Sequence, residues 1–373
     1  MSRWEEWLAG QAEQRDRDGL RRTLTPRAAG DRVVDLAGND YLGLSRHAAV
    51  VAATAAAART WGAGARASRL VTGTLQVHAD LESALAAYLR QPAALVLSSG
   101  YHANLSVVGA LADRGCTVVS DAHIHASLVD AVRLSRASLT VTPHNDVAAV
   151  RAALAGAGEQ RALVLAESVY SVLGDRAPLV ELAAVCEELD ALLVVDEAHG
   201  LGVHGPGLVA ELGLAGLPHV VVTATLSKSL GSQGGAVLGP GAVVEHLVNR
   251  ARPFIFDTGL APTSTAAALA ALEVLRDHPD LPRLVHSRVA DLAAALGVAP
   301  PAGAVLSVPM PSPRAALAAQ AQALAHGVRV GCFRPPSVPD GVSRLRVTAG
   351  AGVAARDWAR AVEVLVAVVK DHA

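Results

Sequence analysis

The chain has 373 residues, 51% of them hydrophobic, so it is long enough to bury a large core. Its net charge is −2 with the signs mixed along the chain, and no basic block or basic amphipathic segment points to nucleic acid or a membrane surface. The longest apolar stretch, around residues 48–58, is interrupted by Thr54 and followed by Arg59, short of the roughly 20 apolar residues of a membrane span.

The opening MSRWEEWLAG lacks an apolar leader core, and Cys116, Cys186 and Cys332 form no CxxC pair. The expectation is a cytoplasmic protein with reduced thiols and no disulfide framework. Residues 1–30 read as a charged helix with Trp4, Trp7 and Leu8 on one face. Val33–Leu36 reads as a short strand and Gly38-Asn39-Asp40 as a turn. From 46 to 90 the pattern is helical, broken at Gly62, Gly64 and Gly73.

A second rhythm follows. Short β-branched runs appear at Ala93–Leu97, Cys116–Ser120, Ser138–Thr142, Ala162–Glu167, Ala191–Asp196, Val220–Ala224 and Gly235–Gly239. Helical stretches such as 105–113 and 179–189 separate most of them. This alternation implies an α/β fold with a mainly parallel seven-stranded sheet covered on both faces. After about residue 275 prolines break the rhythm, and 357–369 reads as an amphipathic helix. The expected division is an N-terminal arm (1–45), a large domain (46–275) and a smaller α+β C-terminal domain (276–373).

Ligands of such sheets sit beyond the carboxyl ends of the strands, so polar residues after a strand are the candidates for chemistry. Asp196-Glu-Ala-His199-Gly follows one strand; its aspartate either pairs with a cation or caps the next helix. Thr225-Leu-Ser227-Lys228 and the glycines after it suit an anion and are not a P-loop; alone, the lysine reads equally as a solvated group. Gly100 and Tyr101 open a helix that could take a phosphate or be a plain turn. His123-Ile-His125 offers stacking or acid–base chemistry. The HxH pair has no third ligand at an obvious spacing, so no metal is expected. Glu167-Ser-Val-Tyr-Ser171 ends a further strand.

The ordered set SGY, DAHIHAS, ESVYS, DEAHG and TATLSKSLGSQGG, with Asn39-Asp-Tyr-Leu-Gly43-Leu before it, resembles the α-oxoamine synthases, pyridoxal-phosphate (PLP) enzymes of fold-type I. The resemblance spans nearly the whole chain. It implies a PLP-dependent transferase fold and a decarboxylative condensation of an amino acid with an acyl thioester. It implies that Lys228 carries PLP as a Schiff base, Asp196 pairs with the pyridinium nitrogen, His199 bonds the phenolic oxygen and His125 stacks over the ring. Ser171, Gly100, Tyr101, Thr225 and Ser227 would line the cofactor, and Thr258 would reach the phosphate of a neighbouring subunit, making a homodimer. Asn39 and Arg346 would meet the amino acid.

Within the family, the Gly19-Leu-Arg21-Arg22 opening and Arg334-Pro-Pro-Ser337 before Arg344-Leu-Arg346 resemble the biotin-pathway branch, which joins L-alanine to a pimeloyl thioester. Arg21 and Ser337 fall where that acyl group binds, and coenzyme A or an acyl carrier protein would deliver it. Arg66 departs from the family's run of small residues before Ser68-Arg69. Members that use glycine with acetyl-CoA share the same catalytic set. Outside the family, a nucleotide-binding α/β enzyme lacks its GxGxxG, and a non-enzymatic binding module is the remaining reading.

Overall fold

The computed structural model describes every residue except 18–20, 23, 336 and 373. Gly19, Leu20 and Pro336 of the motifs above therefore lie outside the described residues. The chain divides into two units, Met1–Val33 and Val34–Ala373. In the first, a helix over Arg3–Arg17 has no buried residue, and Trp4 and Trp7 meet edge to face at 5.8 Å.

The second unit is built on twelve strands. They are β1 (Val34–Asp35), β2 (Ala93–Leu97), β3 (Cys116–Asp121), β4 (Ser138–Thr142), β5 (Arg161–Glu167), β6 (Ala191–Asp196), β7 (Val220–Thr225), β8 (Gly235–Gly239), β9 (Val305–Pro309), β10 (Val328–Arg329), β11 (Gly331–Phe333) and β12 (Arg344–Thr348). The central sheet has seven strands in the order β2-β8-β7-β6-β5-β3-β4. All pairings in it are parallel except those of β8, which runs antiparallel to both neighbours.

The period of two explains the layers. Leu163 and Leu165 of β5 join one apolar cluster, with Val107, Leu128 and Phe254. Val164 and Ala166 join a second cluster on the other face, with Leu182, Leu272 and Val289. Both faces of the inner strands are thus buried, which is why these read as continuous apolar runs, whereas the edge strand β4 is exposed over residues 138–141.

Two smaller sheets complete the unit: β11-β12-β9, antiparallel, and β1 paired in parallel with β10. The segment after β1 is laced to them by Thr348 N–H donating to Leu36 O (2.8 Å) and Ala351 N–H to Tyr41 O (2.7 Å). Gly43, at φ +71°, packs so tightly that a Cβ there would lie 2.5 Å from the Gly352 Cα. This brings Asn39 and Tyr41 to the carboxyl ends of the central strands. Among the described residues no helix is long and apolar enough to cross a membrane.

Candidate active site

Lys228 sits in the loop that turns β7 back into β8. The loop is closed by Leu226 N–H to Gly234 O (3.0 Å), Ser232 N–H to Leu226 O (3.0 Å) and Gly231 N–H to Lys228 O (2.9 Å). Gly231 has φ +60°, and a Cβ on it would meet the Ser45 nitrogen at 2.3 Å. The glycine after the lysine therefore holds the loop by close backbone contact.

From Lys228 a hydrogen-bonded chain crosses the site. Lys228 Nζ lies 2.8 Å from His199 Nε2, and His199 Nδ1 lies 2.7 Å from the Tyr41 hydroxyl. That hydroxyl donates to Asn39 Oδ1 (3.0 Å), which also accepts from Arg346 NH1 at 3.3 Å. Arg346 Nε donates to the Ser171 carbonyl (2.8 Å). Because the Tyr41 proton goes to Asn39, His199 must donate from Nδ1, leaving Nε2 to accept from Lys228. Burial, with Lys228 and Arg346 adding to it, holds His199 well below the usual histidine value, so the ring is neutral. Burial also pushes Tyr41 up to about 12, keeping it a donor at neutral pH. Lys228 is lowered to about 8, chiefly by burial, with Arg346 acting the same way and Asp196 pulling against it.

Asp196, at the end of β6, is 6% exposed. Its oxygens accept from Asn104 Nδ2 (2.7 Å) and Ala198 N–H (2.8 Å). Asn104 itself is fixed, accepting from the Thr223 hydroxyl (2.6 Å) and donating to Ser127 Oγ (2.8 Å). Ser127 Oγ lies 2.7 Å from His125 Nδ1, so one polar relay orients both Asp196 and His125. No ion pair reaches Asp196 among the described residues, so a buried carboxylate is left with neutral donors only.

A third group forms at the head of the helix Gly100–Leu111. A Cβ on Gly100 would lie 2.9 Å from the Thr225 Cβ, so the helix start is pressed against the Thr225 hydroxyl, itself 2.7 Å from Ser227 Oγ. Helix N–H groups beside two hydroxyls suit a phosphate. The residues present fit PLP: an amine for its aldehyde, a carboxylate for its ring nitrogen and a cradle for its phosphate.

The remaining expected residues lie around these groups. The half-exposed Tyr101 donates its hydroxyl to Asp130. Thr258 is exposed and its N–H donates to Asp257, which accepts from Ser98 Oγ at 2.5 Å. Ser337 lies in an exposed turn, its N–H donating to Arg334 O (2.8 Å). Arg21 belongs to the first unit, where it faces Asp16 at 3.7 Å. Arg66 is exposed at φ 69°, whereas Arg69 is the buried partner of Glu82 at 3.0 Å.

Sequence reasoning did not assign Tyr41, Asn104 or His144. Tyr41 stands inside a quoted motif, and Asn104 lies three residues beyond one. His144 carries no local signal, yet its Nδ1 and Nε2 lie 2.9 Å from Asp121 and 2.7 Å from Asp175. Asp121, His123 and His144 hold donor atoms within 4.8 Å of one another. Both nitrogens of His144 are engaged by carboxylates, so the group reads as a charged tie between strand ends.

The family model for class I and II aminotransferases matches residues 31–365. The chain belongs to the class I and II aminotransferase family. Within this aminotransferase family it is 56% identical over 367 residues to the 8-amino-7-oxononanoate synthase of Mycolicibacterium gilvum, covering 97% of each chain. The protein of the same name from Mycobacterium marinum is 55% identical over 366 residues, 97% of this chain and 94% of that one. Among solved structures, serine palmitoyltransferase from S. paucimobilis with a bound PLP–myriocin aldimine superposes with a TM-score of 0.91. It has 27% identity and covers 100% of this chain and 99% of that one.

Proposed function

We propose that this chain is an 8-amino-7-oxononanoate synthase, a PLP-dependent acyltransferase of biotin biosynthesis. It joins L-alanine to a pimeloyl thioester and releases CO2 and the free thiol. The observation that carries this reading is the 56% identity over 97% of the chain to proteins of that name. The Lys228–His199–Tyr41–Asn39–Arg346 chain, with Asp196 buried beside it, supports it. Glycine with acetyl-CoA is not favoured, because the relatives at 54–56% identity carry the one name.

PLP, when bound, supplies an aldehyde carbon and an electron-withdrawing ring. Lys228 Nζ is the amine that would hold the aldehyde, and Asp196 the carboxylate that would pair with the ring nitrogen. Thr225, Ser227 and the helix start at Gly100 and Tyr101 would hold the phosphate, with Thr258 of a second copy of the chain contributing to it. His125 would stack against the ring, and Ser171 would line the cofactor. Arg346 grips the amino-acid carboxylate as a bidentate pair, its plane set by Asn39 and the Ser171 carbonyl. Lys228 Nζ would take the α-proton of the amino acid; a value near 8 leaves a working fraction neutral. The new carbon–carbon bond forms at the thioester carbonyl, the thiolate departs, and the bond to the carboxylate breaks to give CO2. Lys228 Nζ then returns the proton to the same carbon.

Arg21 and Ser337 complete the reading as the acyl-end contacts, with coenzyme A or a carrier protein delivering the acyl group. So does the division into an arm (1–45), a large domain (46–275) and a small domain (276–373). The test is borohydride reduction of the PLP-loaded protein followed by peptide mapping. The label is expected on the peptide containing Lys228 and absent in Lys228→Ala; a label on any other peptide overturns the assignment.

A further inference from the structure

Strand β5 ends in a carboxylate, Glu167, that the chemistry above leaves without a task. Glu167 is 2% exposed. Its Oε2 accepts from the Ser171 N–H at 3.1 Å, while its Oε1 is buried with no hydrogen-bond partner among the described residues. In the parallel register Glu167 stands directly beside Asp196. An ionised Glu167 would set a full charge on a bare buried oxygen beside a like charge on the next strand, and a neutral carboxyl removes that charge. The groups that face it are Asp196 from β6, Lys228 from the loop after β7, and the His125 backbone at the head of the helix Ala126–Ser135. Burial and Asp196 hold Glu167 well above the usual carboxylate range, against the pull of Lys228.

The other end of the same short segment carries the consequence. The Ser171 nitrogen is tied to Glu167, and the Ser171 carbonyl accepts from Arg346 Nε at 2.8 Å. Tyr170 N–H to Asp175 O (2.8 Å) and Gly174 N–H to Tyr170 O (2.9 Å) close the turn behind it. A guanidinium has a rigid fork, so the direction of one N–H bond sets the direction of the rest.

We propose that Glu167 is a positioning residue: as a neutral carboxyl it fixes the Ser171 backbone, and the Ser171 carbonyl aims Arg346 at the carboxylate of the amino-acid substrate. This rests on the proposed function for the identity of that substrate and on the geometry alone for the neutral carboxyl. One negative charge, on Asp196, then faces the ring nitrogen.

Two measurements test it. Infrared difference spectra of the purified protein at neutral pH, wild type minus Glu167→Gln, should show a protonated carboxyl band. An ionised carboxylate band in its place overturns the neutral assignment, and this readout needs neither cofactor nor turnover. In steady-state assays Glu167→Leu should raise KM for L-alanine about tenfold, the scale of one hydrogen bond to a charged group, with a smaller effect on kcat. Glu167→Gln, which still accepts from Ser171, should recover most of that loss. A KM for L-alanine unchanged in Glu167→Leu, or equally raised in both variants, overturns the positioning role. If the wild-type protein forms no visible imine with PLP, the proposed function fails while the infrared result still decides the state of Glu167.

Discussion

At Lys228 two fields oppose each other. Burial and Arg346 favour the neutral amine, and Asp196 favours the ammonium; the balance lies near 8. Capture of PLP requires the neutral amine, so the rate of imine formation in the apo-protein should rise with pH and level off above about 8. A rise centred near the ordinary lysine value of 10.5 would mean that the amine is solvated. Asp196→Asn keeps the shape and both donors but removes the charge beside the ring nitrogen. Turnover should fall by about a thousandfold or more, each factor of ten being about 1.4 kcal/mol of barrier, with thermal unfolding little changed. Near-normal turnover would reduce Asp196 to a helix cap. Lys228, Asp196, His199 and His125 were picked out as polar residues at or within four positions after a strand's end, and the resemblance supplied the roles proposed for them. Tyr41 was harder to see. Its role depends on a bond to His199, 158 residues away, that only the lacing of residues 36–45 onto β12 creates.

At the scale of elements, the ends of β3, β4 and β5 meet around His144. Burial lowers its basicity, but bonds to Asp121 and Asp175 more than offset this and raise it to about 9. The folded value exceeds the usual 6.5, so the native state keeps a proton that the unfolded chain gives up. The stabilisation is complete below about 6.5 and is lost as pH rises through about 9. The melting temperature of the wild type should therefore fall across that interval, and His144→Gln should flatten the fall; equal slopes in the two proteins would remove His144 as the tie. The seven central strands were readable to within one residue at either end, because burial on both faces makes the inner ones apolar runs between polar stops; the exposed edge strand β4, SLTVT, was readable from its β-branched residues. The helices around 46–90 were less so. There Arg69–Gly73 forms a single π turn, held by Arg69 bonded to Thr74, Glu82 and the Val96 carbonyl, and these contacts leave no periodic trace. His144 follows β4, whereas its cluster partners Asp121 and His123 lie at the end of β3 and His125 is not among them, so spacing along the chain could not reveal the cluster.

At the scale of the whole molecule, the carboxyl ends of the central strands gather the amine, the carboxylate and the helix start at Gly100, and β12 of a second sheet brings Arg346 to them, a set that suits an amino acid and PLP. The central claim is the identity of the two substrates, and carbon dioxide release measures it. The PLP-loaded protein is given L-alanine or glycine, each paired with pimeloyl-CoA, a pimeloyl carrier protein or acetyl-CoA. The account predicts release with L-alanine and a pimeloyl thioester, with 8-amino-7-oxononanoate as the accompanying product and glycine much poorer. Faster release from glycine and acetyl-CoA than from L-alanine with either pimeloyl carrier would contradict it.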